Sequence, residues 1–311
     1  MKNHGMAVWM AAVTLLLMAA PAFAQNQGQG QAVVTVLPKH EGEAPASVTG
    51  RDLAVKVDGK KARVTKWEPY REPGNNLELV LLLDGSARTS LGRQMGDIEK
   101  FVRGLPPNIK AGIAYMEQGS AVFVAPLSAD HAQVLSNLHL PGGSPGSNAS
   151  PYFCLSDLAK KWPSQDAAAR REVVMVTDGA DGYMRQYDPN DPYVQRAIND
   201  SVRARLVVYS IFWSNQGTGE NPAYNFNDGQ SLLLQVAAAT GGKSFWQGMG
   251  NPVSFGPYFD ELLRRFRNQY ELGFSAPLGG KPGVETLKLK LSAPGAEVDT
   301  PQLVYVAPAG N

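Results

Sequence analysis

The sequence predicts an α/β protein in which a doubly wound, mostly parallel sheet is joined to a small accessory β-unit. Near-continuous apolar runs such as 79–83 and 173–176 alternate with helical segments over residues 77–270. This is the pattern of parallel strands that helices cover on both faces. Alternating apolar and polar residues flank that region on both sides. Because the termini of a domain often lie close together, we expect the two flanks to pack into one β-unit.

The N-terminus has the pattern of a signal peptide over residues 1–24. Lys2 and His4 precede the apolar run 6–20, and Pro21-Ala22-Phe23-Ala24 follows it. This arrangement predicts cleavage before Gln25. The run is shorter than the roughly 18 residues that a spanning helix needs, which favours cleavage over an uncleaved anchor. We therefore expect an exported chain, periplasmic or secreted, with no transmembrane segment once it is mature.

Three segments surround the central region. Residues 25–32 are polar and rich in Gly and Gln, which predicts disorder. Residues 33–76 form a β-rich N-terminal flank, because short alternating runs are separated by turns there. Residues 271–311 form a β-rich tail on the same grounds.

The residue pattern of the central region 77–270 predicts strands and helices in alternation. It also predicts one antiparallel strand at the edge of the sheet, around the turn at 119. The polar stretches 179–192 and 214–228 interrupt this alternation as insertions. The predicted elements, in chain order, are strand 79–83, helix 91–102, strands 111–116 and 121–124, helices 130–138 and 152–162, strand 173–176, helix 193–203, strand 206–211, helix 231–239, strand 243–246 and helix 255–267.

The charge balance argues against a nucleic-acid partner. Lys+Arg total 29 and Asp+Glu total 28, so no basic face for phosphate groups is expected. Cys154 is the only cysteine and cannot pair within the chain. A buried structural thiol is the preferred interpretation, and a reactive thiol or an intermolecular bond is the alternative.

Two aspartates follow strand ends, where ligands of open α/β sheets bind. Asp84 follows the run 79–83 with Ser86 beside it, and Asp178 follows 173–176. Carboxylate and hydroxyl oxygens from these loops suit Mg²⁺, Ca²⁺ or Mn²⁺. The alternative is structural, since an Asp before Gly commonly binds the backbone amides of its own turn.

The element order together with these loops resembles the von Willebrand factor A-type domain over residues 77–270. The resemblance implies a divalent cation, Mg²⁺ or Ca²⁺, held by Asp84 and Ser86 of an Asp-x-Ser-x-Ser loop and by Asp178. It also implies a hydroxyl from a second loop, for which Ser150 is the nearby residue. An acidic group of a partner protein would then complete the coordination shell.

More narrowly, the chain resembles exported bacterial proteins related to this family. The segments 52–60, 239–243 and 267–274 are similar to the leader and the later signatures of those proteins. One position departs from the family loop, because Arg88 stands where its second Ser belongs. A guanidinium donates hydrogen bonds only and cannot ligate a cation. We hypothesise that Arg88 pairs with Asp84 or contacts a partner directly.

The two insertions each allow two interpretations. Trp213, Tyr224 and Phe226 lie among polar residues and would be partner contacts, although packing against the domain is equally compatible. Four aspartates lie in the first insertion or directly before it. Their spacing departs from that of a calcium-binding EF-hand, which favours a turn-rich polar loop; they are Asp178, Asp181, Asp188 and Asp191.

The sequence favours a binding function over catalysis. No nucleophile-elbow motif surrounds Ser86, the histidines lack metal-ligand spacing, and 242–244 is not a phosphate-binding loop. We therefore expect no catalytic residues and no organic cofactor. The leading hypothesis is a protein-binding or adhesion module that uses the loops at the carboxyl ends of the strands. The alternative is a metal-independent structural or assembly component of a cell-envelope complex.

Overall fold

The computed structural model describes residues 27–40, 47–70, 76–142, 149–184, 186–214, 226–248, 250–278 and 281–308. The strands in these residues are β1 (Gln27–Pro38), β2 (Leu53–Val57), β3 (Lys60–Pro69), β4 (Leu77–Asp84), β5 (Ile109–Glu117), β6 (Ser120–Ser128), β7 (Arg170–Thr177), β8 (Leu206–Phe212), β9 (Ser244–Phe245), β10 (Gln269–Pro277), β11 (Gly283–Leu291), β12 (Ala296–Asp299) and β13 (Leu303–Pro308). The α-helices are α1 (Met95–Arg103), α2 (His131–Ser136), α3 (Pro151–Lys160), α4 (Pro192–Arg203), α5 (Phe226–Thr240) and α6 (Gly256–Phe266), and 3-10 helices cover Gly50–Asp52 and Arg88–Gln94.

The central sheet has the order β6-β5-β4-β7-β8-β9. Its neighbouring strands are parallel except for β5 and β6, which form the antiparallel edge that the turn at 119 predicts. Every residue of β4 is buried, as expected of a strand covered on both faces. One face packs on α1, α2 and α6, and the other on α3, α4 and α5. The predicted mixed α/β architecture is confirmed.

Most helices begin and end near the predicted residues, but the one predicted at 91–102 differs. Arg88–Gln94 is a 3-10 helix, and the α-helix begins only at Met95. Gly92 and Gly96 weaken α-helix formation in this segment. The Ser90 hydroxyl also donates to the Ala87 carbonyl at 2.6 Å, a local bond that competes with regular helix.

The two flanks pack together, as predicted, and they form an antiparallel barrel. The strand order is β10-β3-β2-β11-β13-β1, and pairing of β1 with β10 closes it. The short strand β12 pairs antiparallel with residues 35–38 of β1. The barrel interior is apolar, with Val34, Val36, Leu272 and Phe274 buried in it. Closure leaves no free edge among the six strands, and the sequence did not indicate it.

The prediction of disorder over 25–32 is wrong for the part that the structure describes. Residues 27–32 belong to β1 and pair with β10; residues 25 and 26 lie outside the described part. The glycines of this segment are required by close packing, because a Cβ at Gly28 would lie 2.5 Å from Val306 and one at Gly30 would overlap the ring of Phe274. The segment has few apolar side chains because the barrel interior has no room for a side chain at Gly28 or Gly30.

The barrel packs against the amino edge of the central sheet. Gln269 of β10 donates to the Tyr209 hydroxyl at 3.0 Å, and Arg205, just before β8, donates to Gln31 of β1 at 2.5 Å. Arg170, at the start of β7, forms a buried ion pair with Glu172 at 2.9 Å. Burial raises the pKa of Glu172 to about 7 even though Arg170 opposes this increase. The carboxyl edge lies at the opposite end of the strands.

None of the described helices combines the length and the apolar character that crossing a membrane requires. The predicted signal peptide, residues 1–24, lies outside the described residues.

We expect Gly30→Ala to destabilise the protein by about 1–3 kcal/mol, because the added methyl group must displace the Phe274 ring in a packed interior. Gly96→Ala is the matched control: its Cβ meets open space in α1, so a gain of up to about 1 kcal/mol is expected. Urea unfolding of both variants measures the two changes. Equal stability of Gly30→Ala and the unchanged protein would contradict the packing described for β1.

Candidate functional site

Asp84 ends β4 at the carboxyl edge of the sheet and is fully buried. Its Oδ1 accepts hydrogen bonds from the Ser86 amide at 2.8 Å and from the Ser86 hydroxyl at 2.6 Å. Its Oδ2 accepts from the Thr177 hydroxyl at 3.0 Å. The carboxylate therefore joins the loop after β4 to the end of β7.

Thr177 is the residue that the sequence analysis missed. It ends β7 and is buried, and its hydroxyl accepts from the Gly179 amide at 3.3 Å while donating to Asp84. The signal was available, because Thr177 precedes Asp178 at a predicted strand end.

Asp178 and Ser150 each hydrogen-bond to a backbone amide of their own segment. Asp178 Oδ1 accepts from the Ala180 amide at 3.0 Å, which is the turn-capping role that was the structural alternative. Ser150 precedes α3 and accepts from the Tyr152 amide at 3.3 Å as its N-cap. Its hydroxyl also lowers the pKa of Asp181, so it faces a different carboxylate.

The residues at Asp84 do not fit a divalent cation as they are arranged. Both Asp84 oxygens accept hydrogen bonds within the protein, and one donor is the Ser86 hydroxyl that would ligate the ion. Arg88 replaces a third oxygen with a group that cannot coordinate a cation. Its side chain lies outside the described residues, so its pairing with Asp84 stays a prediction.

Cys154 is buried in α3, in agreement with a structural thiol. Burial raises the pKa of the thiol, and the nearby charges of Asp84 and Asp157 add to the increase. A thiol held in this protonated state is a poor nucleophile.

The contact prediction for Trp213 is wrong. Its side chain is 3% exposed, its indole N–H donates to the Ser90 hydroxyl at 3.0 Å, and its ring lies edge-on to Phe255. The Trp213 ring packs against the domain, which was the alternative interpretation. Tyr224 and the side chain of Phe226 lie outside the described residues, and their contact roles stay predictions.

An aromatic cluster lies instead in the first insertion and the helices beside it. Phe153 of α3, Tyr183 and Tyr193 of α4 contact one another, with ring centroids 4.7, 4.7 and 6.2 Å apart. Tyr183 is 58% exposed. All three residues lie on segments that begin at the carboxyl edge of the sheet. We call Phe153, Tyr183 and Tyr193 the aromatic cluster.

The sequence could have indicated this cluster, because Tyr183 is an aromatic residue within a polar insertion. The same pattern led to the contact prediction for the aromatic residues at 213, 224 and 226. Other exposed apolar side chains lie on loops that return to the same edge. They are Leu140, Trp246 and Val253.

No family model and no curated protein matches the sequence. Solved structures do match it. An aerotolerance-related membrane protein from Bacteroides fragilis is 16% identical, with 61% of this chain and 98% of that chain covered and a TM-score of 0.45. The vWF domain of the type V pili tip protein from Porphyromonas gingivalis is 9% identical, with 61% and 94% covered and a TM-score of 0.41.

BatB from Bacteroides thetaiotaomicron is 14% identical, with 61% of this chain and 97% of that chain covered and a TM-score of 0.43. The matched structures thus include von Willebrand factor A-type domains, as the sequence resemblance predicts. At these identities and scores they carry no argument about what this chain does. The strand order and the layers of helices define the fold.

We expect Thr177→Val to destabilise the protein by about 1–3 kcal/mol, because it removes a hydrogen bond from the buried Asp84 carboxylate. Ser201→Ala is the control: the Ser201 hydroxyl is buried without a hydrogen-bond partner, so its loss is neutral or stabilising. Chemical unfolding of both variants measures the difference. If both variants were equally stable, the Asp84–Thr177 bond would not hold the two loops together.

Proposed function

We propose that this chain is an exported, non-enzymatic protein-binding module that uses the carboxyl edge of its central sheet. The observation that carries the proposal is the aromatic cluster, in which Tyr183 is 58% exposed while its ring contacts Phe153 and Tyr193. A large exposed ring that is already held by neighbouring rings presents apolar area at little cost in side-chain entropy. Tyrosines of this kind are enriched among the residues that dominate binding energy at protein interfaces.

The position of the barrel supports the choice of this edge. The barrel contacts the amino edge through Gln31 and Gln269, so a partner has access to the loops at the other end. Leu140, Trp246 and Val253 add exposed apolar area to those loops. An interface there would have an aromatic centre with a polar rim of loop residues, which is the usual composition of a protein-binding surface.

The contacts of Ser86 support a non-enzymatic role. Its hydroxyl donates to Asp84 at 2.6 Å rather than to an imidazole. His131 Nε2 lies 2.8 Å from the Ile109 carbonyl oxygen, and His139 Nδ1 lies 2.9 Å from that of Leu140. A serine nucleophile needs a general base at its hydroxyl, and these two imidazoles are engaged elsewhere.

Export is supported by the N-terminal sequence and by the start of the barrel. Cleavage before Gln25 would leave all of β1 intact, because β1 begins at Gln27. In the mature chain, the strand that begins at Gln27 would still pair with β10 along its length. The same proposal includes the location of the mature protein, which is periplasmic or secreted.

The alternative function is constitutive assembly in an envelope complex without any metal. The two functions differ in their response to a chelator: loss of the captured partner in EDTA favours cation-assisted binding, and capture that is insensitive to EDTA favours constitutive assembly.

We expect Tyr183→Ala to reduce partner capture by at least tenfold, corresponding to a loss of about 2 kcal/mol or more at an interface hot spot. Leu234→Ala is the matched control, because Leu234 is 47% exposed on α5 and lies outside the aromatic cluster. Immobilised mature protein would be incubated with extract of the source cells, and the captured protein quantified by mass spectrometry. Equal capture by Tyr183→Ala and the unchanged protein would refute this use of the surface.

A further inference from the structure

A cavity of about 440 Å³ lies where the barrel packs against the amino edge of the central sheet, and we call it the junction cavity. Its barrel wall comes mainly from β1, β3, β10 and β13, and its sheet wall from the ends of α4 and α5 and the starts of β7 and β8. A second cavity of about 350 Å³ adjoins it, since Gln31, Lys66, Arg205 and Tyr305 line both. The junction cavity alone is within the range of roughly 300–1,000 Å³ that small-molecule sites occupy.

Much of the lining of the junction cavity is apolar and comes from both units. Val202 of α4, Leu206 and Val207 of β8 and Val304 of β13 line it, and all four side chains are buried. Because the first three belong to the sheet and the last to the barrel, the cavity exists only where the two units meet. A lining of this kind accommodates an aliphatic or aromatic body.

Charged side chains line the cavity unequally, with three cations and one carboxylate. They are Lys66, Arg170, Arg205 and Glu271. Lys66 pairs with Glu271 at 2.8 Å, and Arg170 pairs with Glu172 at 2.9 Å. Glu68, a second partner of Lys66, is exposed to solvent, which screens its charge. Two of the three cations are thereby neutralised, and Arg205 gives the cavity its positive charge.

Arg205 lies at the border of the two cavities and has no carboxylate as an ion-pair partner among the described residues. Its guanidinium donates to the Gln31 side-chain oxygen at 2.5 Å and to the Ala167 carbonyl at 3.0 Å, and both acceptors are neutral. These bonds use two of its five N–H donors. The remaining donors and the uncompensated charge can take one anionic group.

The backbone at Arg205 supports a role for its side chain beyond ending the helix. Its φ is 58°, in the left-handed region that favours Gly or Asn after a helix. α4 ends at Arg203, and Gly at position 205 would adopt this conformation without strain. Residues other than Gly in strained conformations cluster at ligand-binding and active sites.

We propose that the junction cavity binds a small organic monoanion, a carboxylate with an aliphatic or aromatic body. The carboxylate accepts hydrogen bonds from the Arg205 guanidinium, whose planar fork matches its two oxygens. One uncompensated cation suits a single negative charge better than a phosphate dianion. The body lies among the apolar side chains of both units, so the bound molecule also holds the barrel to the sheet. The aromatic cluster is at the opposite end of the sheet, and this proposal is independent of the protein-binding function.

The test is fluorescence titration of the purified chain with anilinonaphthalene sulfonate, an anionic aromatic dye that reports apolar sites. Decanoate and naphthoate are then added as competitors, together with their uncharged methyl esters. We expect the acids to displace the dye at concentrations at least about tenfold lower than the esters, since only the acids form a charge-assisted hydrogen bond. The acid that displaces the dye at the lower concentration identifies the body as aliphatic or aromatic.

Arg205→Gly should weaken binding of the dye and the acids at least about tenfold, while Gly suits the local backbone. Arg196→Ala is the matched control, because Arg196 is an exposed arginine of α4 outside the cavity lining. Ala168→Trp fills the cavity from an exposed position of its lining and should abolish binding. Ala129→Trp, at an exposed position before α2, should leave the affinity unchanged.

Several outcomes would overturn the site. These are absence of dye binding, equal displacement by the acids and their esters, or binding that survives Arg205→Gly or Ala168→Trp. Binding that is lost in Tyr183→Ala and kept in Ala168→Trp would place the ligand at the carboxyl edge and would also overturn it. Thermal unfolding without dye shows that each variant is folded, so a lost signal is assigned to the cavity.

Discussion

The packing of the barrel against the amino edge of the central sheet is the constraint on which the rest of the structure depends. The buried Arg170–Glu172 pair and the bond from Gln269 to Tyr209 lie at this junction. Arg170 and Glu172 both lie on β7, so the bond from Gln269 of β10 to Tyr209 of β8 is the contact here that joins the two units. The carboxyl edge is then the end of the sheet at which loops can vary without loss of the fold, and the aromatic cluster lies there.

At that edge, the Asp84 carboxylate has a structural role. It binds Ser86 and Thr177, and so ties the ends of β4 and β7 together. The replacement of a hydroxyl by Arg88 is consistent with this role, because a carboxylate that is satisfied by protein donors has no need of a cation. Asp181 and Asp191 are buried further along the chain, between β7 and α4, and each accepts a hydrogen bond from the amide of one tyrosine of the aromatic cluster.

The sequence predicts the parts of this architecture that depend on local pattern. Short apolar runs such as 79–83, bounded by turn residues, predict buried strands, and alternation in both flanks predicts a joint β-unit. Tertiary packing decided the rest. Composition predicts disorder for residues 27–32, yet their glycines fit the barrel interior. The sequence offers Trp213 as a loop contact, yet its ring packs beside Phe255. Unpaired oxygens such as Asp191 Oδ2 cannot be identified without coordinates, because pairing is a property of the folded chain.

Amide hydrogen exchange of the chain, alone and with its captured partner bound, tests the use of the carboxyl edge. The account predicts slower exchange on binding at the start of α3 (149–153) and from 181 to 194, the segments that carry the aromatic cluster. The barrel strands β2, β3 and β11 should exchange at the same rate in both states. Protection confined to those barrel strands, with none around Tyr183, would contradict it.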